Sequence, residues 1–168
     1  MFRPIRKIMP WRVTLGLAQG SFCLLLHSHF ILQFTNKIFL PKNRKLTRIT
    51  RDKDYHYVTG KEAFGKGNRI PLSKALFRHY PTLILDAYNI PYVDLVKTDG
   101  SGIRVYKDGI AYLALWSDEK WGNYVAIEPW QGLPDFLDSD KDITKKNTIQ
   151  RLAPGKVDDS FLRSIEVK

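Results

Sequence analysis

The sequence predicts an all-β protein, an antiparallel β-sandwich or barrel, and three observations carry that expectation. Short runs rich in Val, Ile, Leu, Tyr and Trp follow one another closely, turn residues separate them, and no stretch sustains a helical period. Nine prolines and eleven glycines supply the turns that so many short strands need. A chain of 168 residues suits one domain with a real core.

The first twenty residues stand apart as a basic segment, in which Arg3, Arg6, Lys7 and Arg12 flank Pro4 and Pro10. Residues 1–50 hold nine Lys or Arg and no acidic residue, whereas residues 51–168 hold 18 basic and 17 acidic residues. Nearly all of the net charge of +10 therefore belongs to the first fifty residues, and the rest has the mixed surface of an ordinary soluble domain. No nucleic-acid recognition motif follows the basic segment, so no nucleic-acid partner is expected.

The apolar run Ser21 to Leu26 is far short of the ~20 residues of a membrane span. Arg12 and Gln19 precede it, His27 and His29 interrupt it, and no small-residue cleavage site follows, which argues against a signal peptide. The expectation is no membrane partner and a cytoplasmic location, which a single cysteine, Cys23, also fits. One cysteine excludes both an internal disulfide and a cysteine-cluster metal site.

The domain proper is expected over residues 21–168, beginning with a buried strand from about Ser21 to Phe34. His27 and His29 share one face of that strand. They are either satisfied by hydrogen bonds or placed toward a cleft as proton donors; His56 and His79 are isolated, so no metal site is expected. The polar passage Pro41 to Lys45 reads as a turn between two strands, the second ending at Asp52-Lys53-Asp54. Thr59 to Asn68, with three glycines, reads as another turn, since the Walker pattern of a phosphate loop is absent.

From Ile70 to Phe77 a short helical turn is expected, capped by Ser73. Thr82 to Leu85 follows as a buried strand. Val93 to Val96 and Ile103 to Tyr106 flank Thr98-Asp99-Gly100-Ser101-Gly102, a hairpin signal. After the turn Lys107-Asp108-Gly109 come the strand Ile110 to Trp116 and another from Trp121 that ends at Glu128. The four aspartates of Asp135 to Asp142 lack the glycine and glutamate of a calcium loop and read as a solvated turn. A last strand runs from Phe161 to Val167.

The stretch Glu128-Pro129-Trp130-Gln131-Gly132-Leu133-Pro134-Asp135 is where chemistry is expected. A carboxylate at a strand end, at the rim of a sheet and partly desolvated by Trp130 and Tyr124, suits a general base. It equally suits an ion pair with a nearby Lys or Arg.

That stretch, followed by Asp140, Thr144-Lys145-Lys146 and Leu152-Ala153-Pro154-Gly155, resembles the C-terminal signature of the aldose 1-epimerases, or galactose mutarotases, and most of all the branch often encoded with lactose genes. Ile70-Pro71-Leu72-Ser73, Ala75-Leu76-Phe77, Thr82 to Leu85 and Gly109 to Ser117 are similar to the family pattern in family order. Upstream, Phe22 and His27-Ser28-His29-Phe30 match a Phe, a Gly-His-Pro and a Phe, with Leu26 and Ser28 standing in for the Gly and the Pro. The resemblance covers about residues 22 to 167.

It implies a galactose mutarotase-like supersandwich, in an incomplete version because the family's chain is considerably longer. It also implies a reaction, interconversion of the α and β anomers of an aldohexose by acid/base ring opening and closure. Glu128 matches the family's base and His27 its acid, with no metal or organic cofactor. Trp116 and Trp130 would form an apolar platform for a galactose- or glucose-like sugar. The family's substrate-binding Asp falls at Pro81, so Asp86 is the candidate to replace it. The alternative is a catalytically impaired carbohydrate-binding or vestigial fragment. An incomplete sandwich would also expose sheet edges, so self-association is expected.

Overall fold

The computed structural model describes residues 29–30, 37–54, 56–78, 81–118, 124–146, 151, 153–156 and 164–167. Among the described residues, nine strands and a short helix follow in order: β1 (His29–Phe30), β2 (Lys37–Arg51), β3 (Tyr57–Pro71), α1 (Lys74–Phe77), β4 (Thr82–Asp86), β5 (Tyr92–Val96), β6 (Gly102–Tyr106), β7 (Tyr112–Trp116), β8 (Val125–Trp130) and β9 (Ser164–Val167). A 3-10 turn, Ile143–Lys145, lies between the last two strands.

All the strands belong to one antiparallel sheet with the order β1-β8-β7-β4-β2-β5-β6-β9, and β3 pairs with β2. The long β2 joins two arms. Its first residues pair with β5, as Ile38 opposite Leu95, and its far end pairs with β4, as Arg48 opposite Leu85. One arm is thus β4, β7, β8 and β1; the other is β5, β6 and β9. The sheet curls so that the arms share a core, in which Leu83, Leu85, Leu113, Leu115, Val125 and Ile127 meet Val93, Leu95 and Val105. Each such side chain contributes roughly 1.5–3 kcal/mol on burial, so this apolar layer holds the arms together.

The arm β4-β7-β8 is also covered on its other face, where Ile49, Ile84, Ala114, Trp130 and Leu133 form a second cluster with Tyr57, Tyr112 and Phe136 against it. Burial on both faces explains the near-continuous apolar runs Thr82-Leu83-Ile84-Leu85 and Tyr112-Leu113-Ala114-Leu115-Trp116. The helix α1 begins as expected, with the Ser73 hydroxyl accepting from the Leu76 amide.

The expected hairpin is β5-β6, with Val96 opposite Gly102. Gly102 is needed there, because a Cβ would lie 2.0 Å from the carbonyl oxygen of Leu95.

Three local expectations are corrected. The passage Pro41 to Lys45 is no turn: β2 runs through it, and the irregularity shows only as a register shift between Phe39 and Arg44. Residues 59–68 belong to β3, an exposed strand paired with β2 through shifts of register, in which Gly60 and Gly67 take positive φ angles of 145° and 137°. Finally, β8 does not end at Glu128. Proline reads as a strand terminator in a sequence, yet the strand continues through Pro129 to Trp130.

The expected strand Ser21 to Phe34 is described only at β1. Among the described residues no helix is long and apolar enough to cross a membrane.

Candidate functional site

Glu128 is an interior residue of β8, 4% exposed, rather than a rim residue. Its surroundings follow from the register. Alternate residues of a strand share a face and directly opposed residues of paired strands lie on the same face, so one face of the arm carries three rows. The first row is Thr82, Trp116 and Ala126; the second is Ile84, Ala114 and Glu128; the third is Asp86, Tyr112 and Trp130. Rows lie about 6.5 Å apart and neighbouring strands about 4.8 Å.

The middle of this face is small and apolar, for Ala114 and Ala126 are fully buried and Ile84 nearly so. Large rings stand around it. Trp116 packs on Tyr124 with ring centroids 5.4 Å apart, and on the other side of Glu128 stand Tyr112 and the buried Trp130. The Trp130 Nε1–H donates to Glu128 Oε2 at 3.1 Å. A carboxylate held by an indole on an apolar floor has the surroundings in which a charged group acts most strongly on what is brought to it.

The long hairpin β2-β3 extends the same face. Opposite Arg51 lies Tyr57, and opposite Ile49 lies Lys61. Arg51 hydrogen-bonds through Nη2 to the Tyr57 hydroxyl and to the Thr82 carbonyl, the latter at 3.1 Å, and its guanidinium lies 4.1 Å from the Tyr57 ring centre. Burial raises the Tyr57 pKa, an effect that Arg51 opposes and the charge of Glu128 reinforces. Tyr57 thus senses both Arg51 and Glu128. Lys61 Nζ meets Asp86 Oδ2 at 2.5 Å, and this hydrogen bond raises the lysine's pKa. Beside them the Tyr112 pKa is raised by burial.

Of the residues singled out in the sequence, Glu128, Trp130, Trp116 and Asp86 lie on this one face. Asp86 is engaged by Lys61, at the opposite end of β4 from Pro81. His27 lies outside the described residues. Arg51, Tyr57, Lys61 and Tyr112 were not anticipated: each is remote from Glu128 in sequence, and only strand pairing brings them to its face. Among the described residues, no group of three or more His, Cys, Asp or Glu could hold a metal ion.

No protein-family model matches the sequence. Over 86 residues, the chain is 30% identical to the chromosomal and the plasmid forms of protein LacX from Lactococcus lactis subsp. lactis, a stretch that is 51% of this chain and 28% of each LacX protein. Among solved structures, it resembles a galactose mutarotase related enzyme from Lactobacillus acidophilus, with a TM-score of 0.67 and 22% identity over 86% of this chain and 51% of that one. It also resembles a galactose mutarotase-like protein from Lactobacillus casei, with a TM-score of 0.70 and 22% identity over 87% of this chain and 52% of that one.

The chain thus spans about half the length of these solved chains and 28% of the LacX proteins. By sequence it is similar to LacX, and by structure it has the galactose mutarotase-like fold over about half the extent of that fold in the two solved proteins.

Proposed function

We propose that this chain carries the base-bearing face of an aldose 1-epimerase. The observation that carries this reading is the buried Glu128 carboxylate, hydrogen-bonded by Trp130 on an apolar floor between aromatic rings. In the proposed reaction, Glu128 takes the proton of the anomeric hydroxyl as His27 delivers one to the ring oxygen. The bond between C1 and the ring oxygen breaks, C1 becomes an aldehyde and rotates, and closure on its other face returns both protons. Nothing is oxidised or reduced. The half-buried Trp116 would offer a ring face to the sugar's C–H surface, the buried Trp130 would hold the carboxylate beneath it, and Asp86 with Lys61 borders the same face as a hydrogen-bonding edge.

The role of the acid is given to His27 by the resemblance of His27-Ser28-His29-Phe30 to the family pattern. A histidine, titrating near neutrality, can donate where a carboxylate accepts.

A second reading, a carbohydrate-binding or vestigial fragment without turnover, is favoured by one observation: the chain spans about half of the solved mutarotase-like chains. Polarimetry decides between them. Freshly dissolved α-glucose and α-galactose are followed with the wild type and with Glu128→Gln, against buffer. Acceleration lost in the variant supports the epimerase; sugar binding without acceleration supports the second reading.

A further inference from the structure

In the proposed reaction Glu128 has to come within hydrogen-bond reach of the anomeric hydroxyl, yet it is only 4% exposed. Part of what covers its face is paired strand, and part is the chain that follows β8. Leu133, which is buried, and Phe136, which is half-buried, pack with Ile49, Ile84, Ala114 and Trp130. Ala114 is directly opposite Glu128, and Trp130 is the hydrogen-bond donor to its carboxylate. The segment after β8 therefore lies over the middle of the face, where the sugar would rest.

We infer that residues 134–146 are a hinged cover on this face, closed in this structure, with Phe136 as its plug and Asp138 as its latch on β3. The inference rests on the epimerase reading for the need to open, and on the contacts of the cover itself for how it opens.

The cover is the part of the covering layer that can leave at least cost. Ile49 and Tyr57 are fixed by the pairing of β2 with β3, and Leu133 by burial in the cluster. Residues 134–142, by contrast, belong to no strand or helix. They meet β3 at its first residues. The Leu137 amide donates to the Tyr57 carbonyl at 2.8 Å, and Asp138 Oδ1 accepts from the Thr59 amide at 3.3 Å and from the Thr59 hydroxyl at 3.1 Å. Leu137 is 55% exposed, and Asp138 and Thr59 are exposed too. Hydrogen bonds open to water exchange for water at small net cost, so the latch can release while the sheet stays folded.

The cover is also tied to itself, so it can swing as one body. Lys146 meets Asp135 at 2.6 Å, Lys141 Nζ donates to the Phe136 carbonyl at 2.7 Å, Lys145 meets Asp140 at 2.7 Å, and the Asp142 carboxylate caps the turn Ile143–Lys145. Opening breaks none of these ties. It breaks the latch and withdraws Phe136, which uncovers Glu128 in the manner of a loop that closes over its ligand.

The test labels carboxylates of the full chain with a water-soluble carbodiimide and glycinamide, and reads modification at Glu128 by peptide mass. Labelling is expected to be slow, to be insensitive to low urea, and to speed up about tenfold in Asp138→Ala and in Phe136→Ala. A locked form is made from Thr59→Cys with Asp138→Cys in a Cys23→Ser background, which removes the single native cysteine. Oxidation of that pair is expected to slow both Glu128 labelling and the mutarotation of α-glucose and α-galactose about tenfold, and reduction to restore them.

Glu128 labelling that is equal in the oxidised and reduced forms overturns the cover, as does labelling that rises with urea as steeply as global unfolding. Where the cysteine pair does not form its disulfide, Asp138→Ala decides, and a labelling rate equal to wild type overturns the latch. Mutarotation that is equal in both redox forms but lost in Glu128→Gln also overturns the cover and leaves the epimerase reading standing. Where no form turns over sugar, the epimerase reading fails, and labelling then decides the cover alone.

Discussion

Trp130 and Glu128 are two residues apart on β8, and the indole Nε1–H of the first donates to Oε2 of the second at 3.1 Å with both side chains buried. Only a strand allows this contact, because residues two apart then share a face. A turn after Glu128, as the prolines suggest, would have pointed the indole elsewhere. The contact fixes the carboxylate against the floor of the candidate site.

Glu128→Gln keeps the shape of the side chain and an oxygen for the Trp130 N–H, but removes the base. Loss of a positioned general base costs ~10²–10⁴ in rate. On the epimerase reading, mutarotation is expected to fall by at least a hundredfold. A rate within threefold of wild type would exclude Glu128 as the base.

Trp130→Phe preserves much of the ring and deletes the N–H. A hydrogen bond to a charged group contributes ~1.5–3 kcal/mol. Urea unfolding should therefore show a loss of about 2 kcal/mol, and the same substitution in a Glu128→Gln background should cost visibly less. Equal losses in both backgrounds would mean that the indole acts by packing alone.

Lys107 is a fully buried residue whose ammonium donates to the carbonyls of Ala87, Ile90 and Ile110 at 2.7, 2.9 and 2.6 Å. It ties the β4-β5 connection to the β6-β7 connection. Leaving buried acceptors without a donor costs ~1–3 kcal/mol each. Lys107→Met should lose about 3 kcal/mol at pH 7, measured by urea unfolding; a loss below 1 kcal/mol would show that the turns hold without it.

Burial pushes the Lys107 pKa down to about 8 from an ordinary 10.5. Between those values the unfolded chain holds the proton more firmly, so the contribution of this group to stability rises with pH, while below about pH 8 it is flat. The difference in unfolding free energy between wild type and Lys107→Met should therefore grow from pH 8 to pH 10.5, by no more than about 3 kcal/mol. A difference that shrinks over that range would contradict the assignment.

On the outer face of the other arm, Arg104 grips Asp94 with two hydrogen bonds of 2.7 and 2.8 Å and lies 3.7 Å from the Tyr92 ring centre. Lysine cannot reproduce the fork or the stacking. Arg104→Lys should cost about 1 kcal/mol. A double-mutant cycle with Asp94→Asn checks it, and no coupling between the two sites would assign the cost to the ring contact instead.

The sequence alone determined the all-β class, because alternation and turn residues act locally: the hairpin β5-β6, the capped turn α1 and the buried strands β4 and β7 are each written within a few consecutive residues. It also singled out Glu128 and Trp130, since both belong to one unbroken stretch. The course of β2 through Pro41 and of β3 through its glycines was not legible there, because a long hairpin tolerates poor strand formers wherever each strand has the other as partner.

Tertiary structure alone decided what stands around the carboxylate. Tyr57 and Arg51 reach that face from 71 and 77 positions away in sequence (128 − 57 and 128 − 51), and the fully buried Lys107 reads in the sequence as a turn residue like any other. The physical reason is that strand pairing is non-local: each strand specifies which of its side chains share a face, and only the register between strands specifies which of those faces meet.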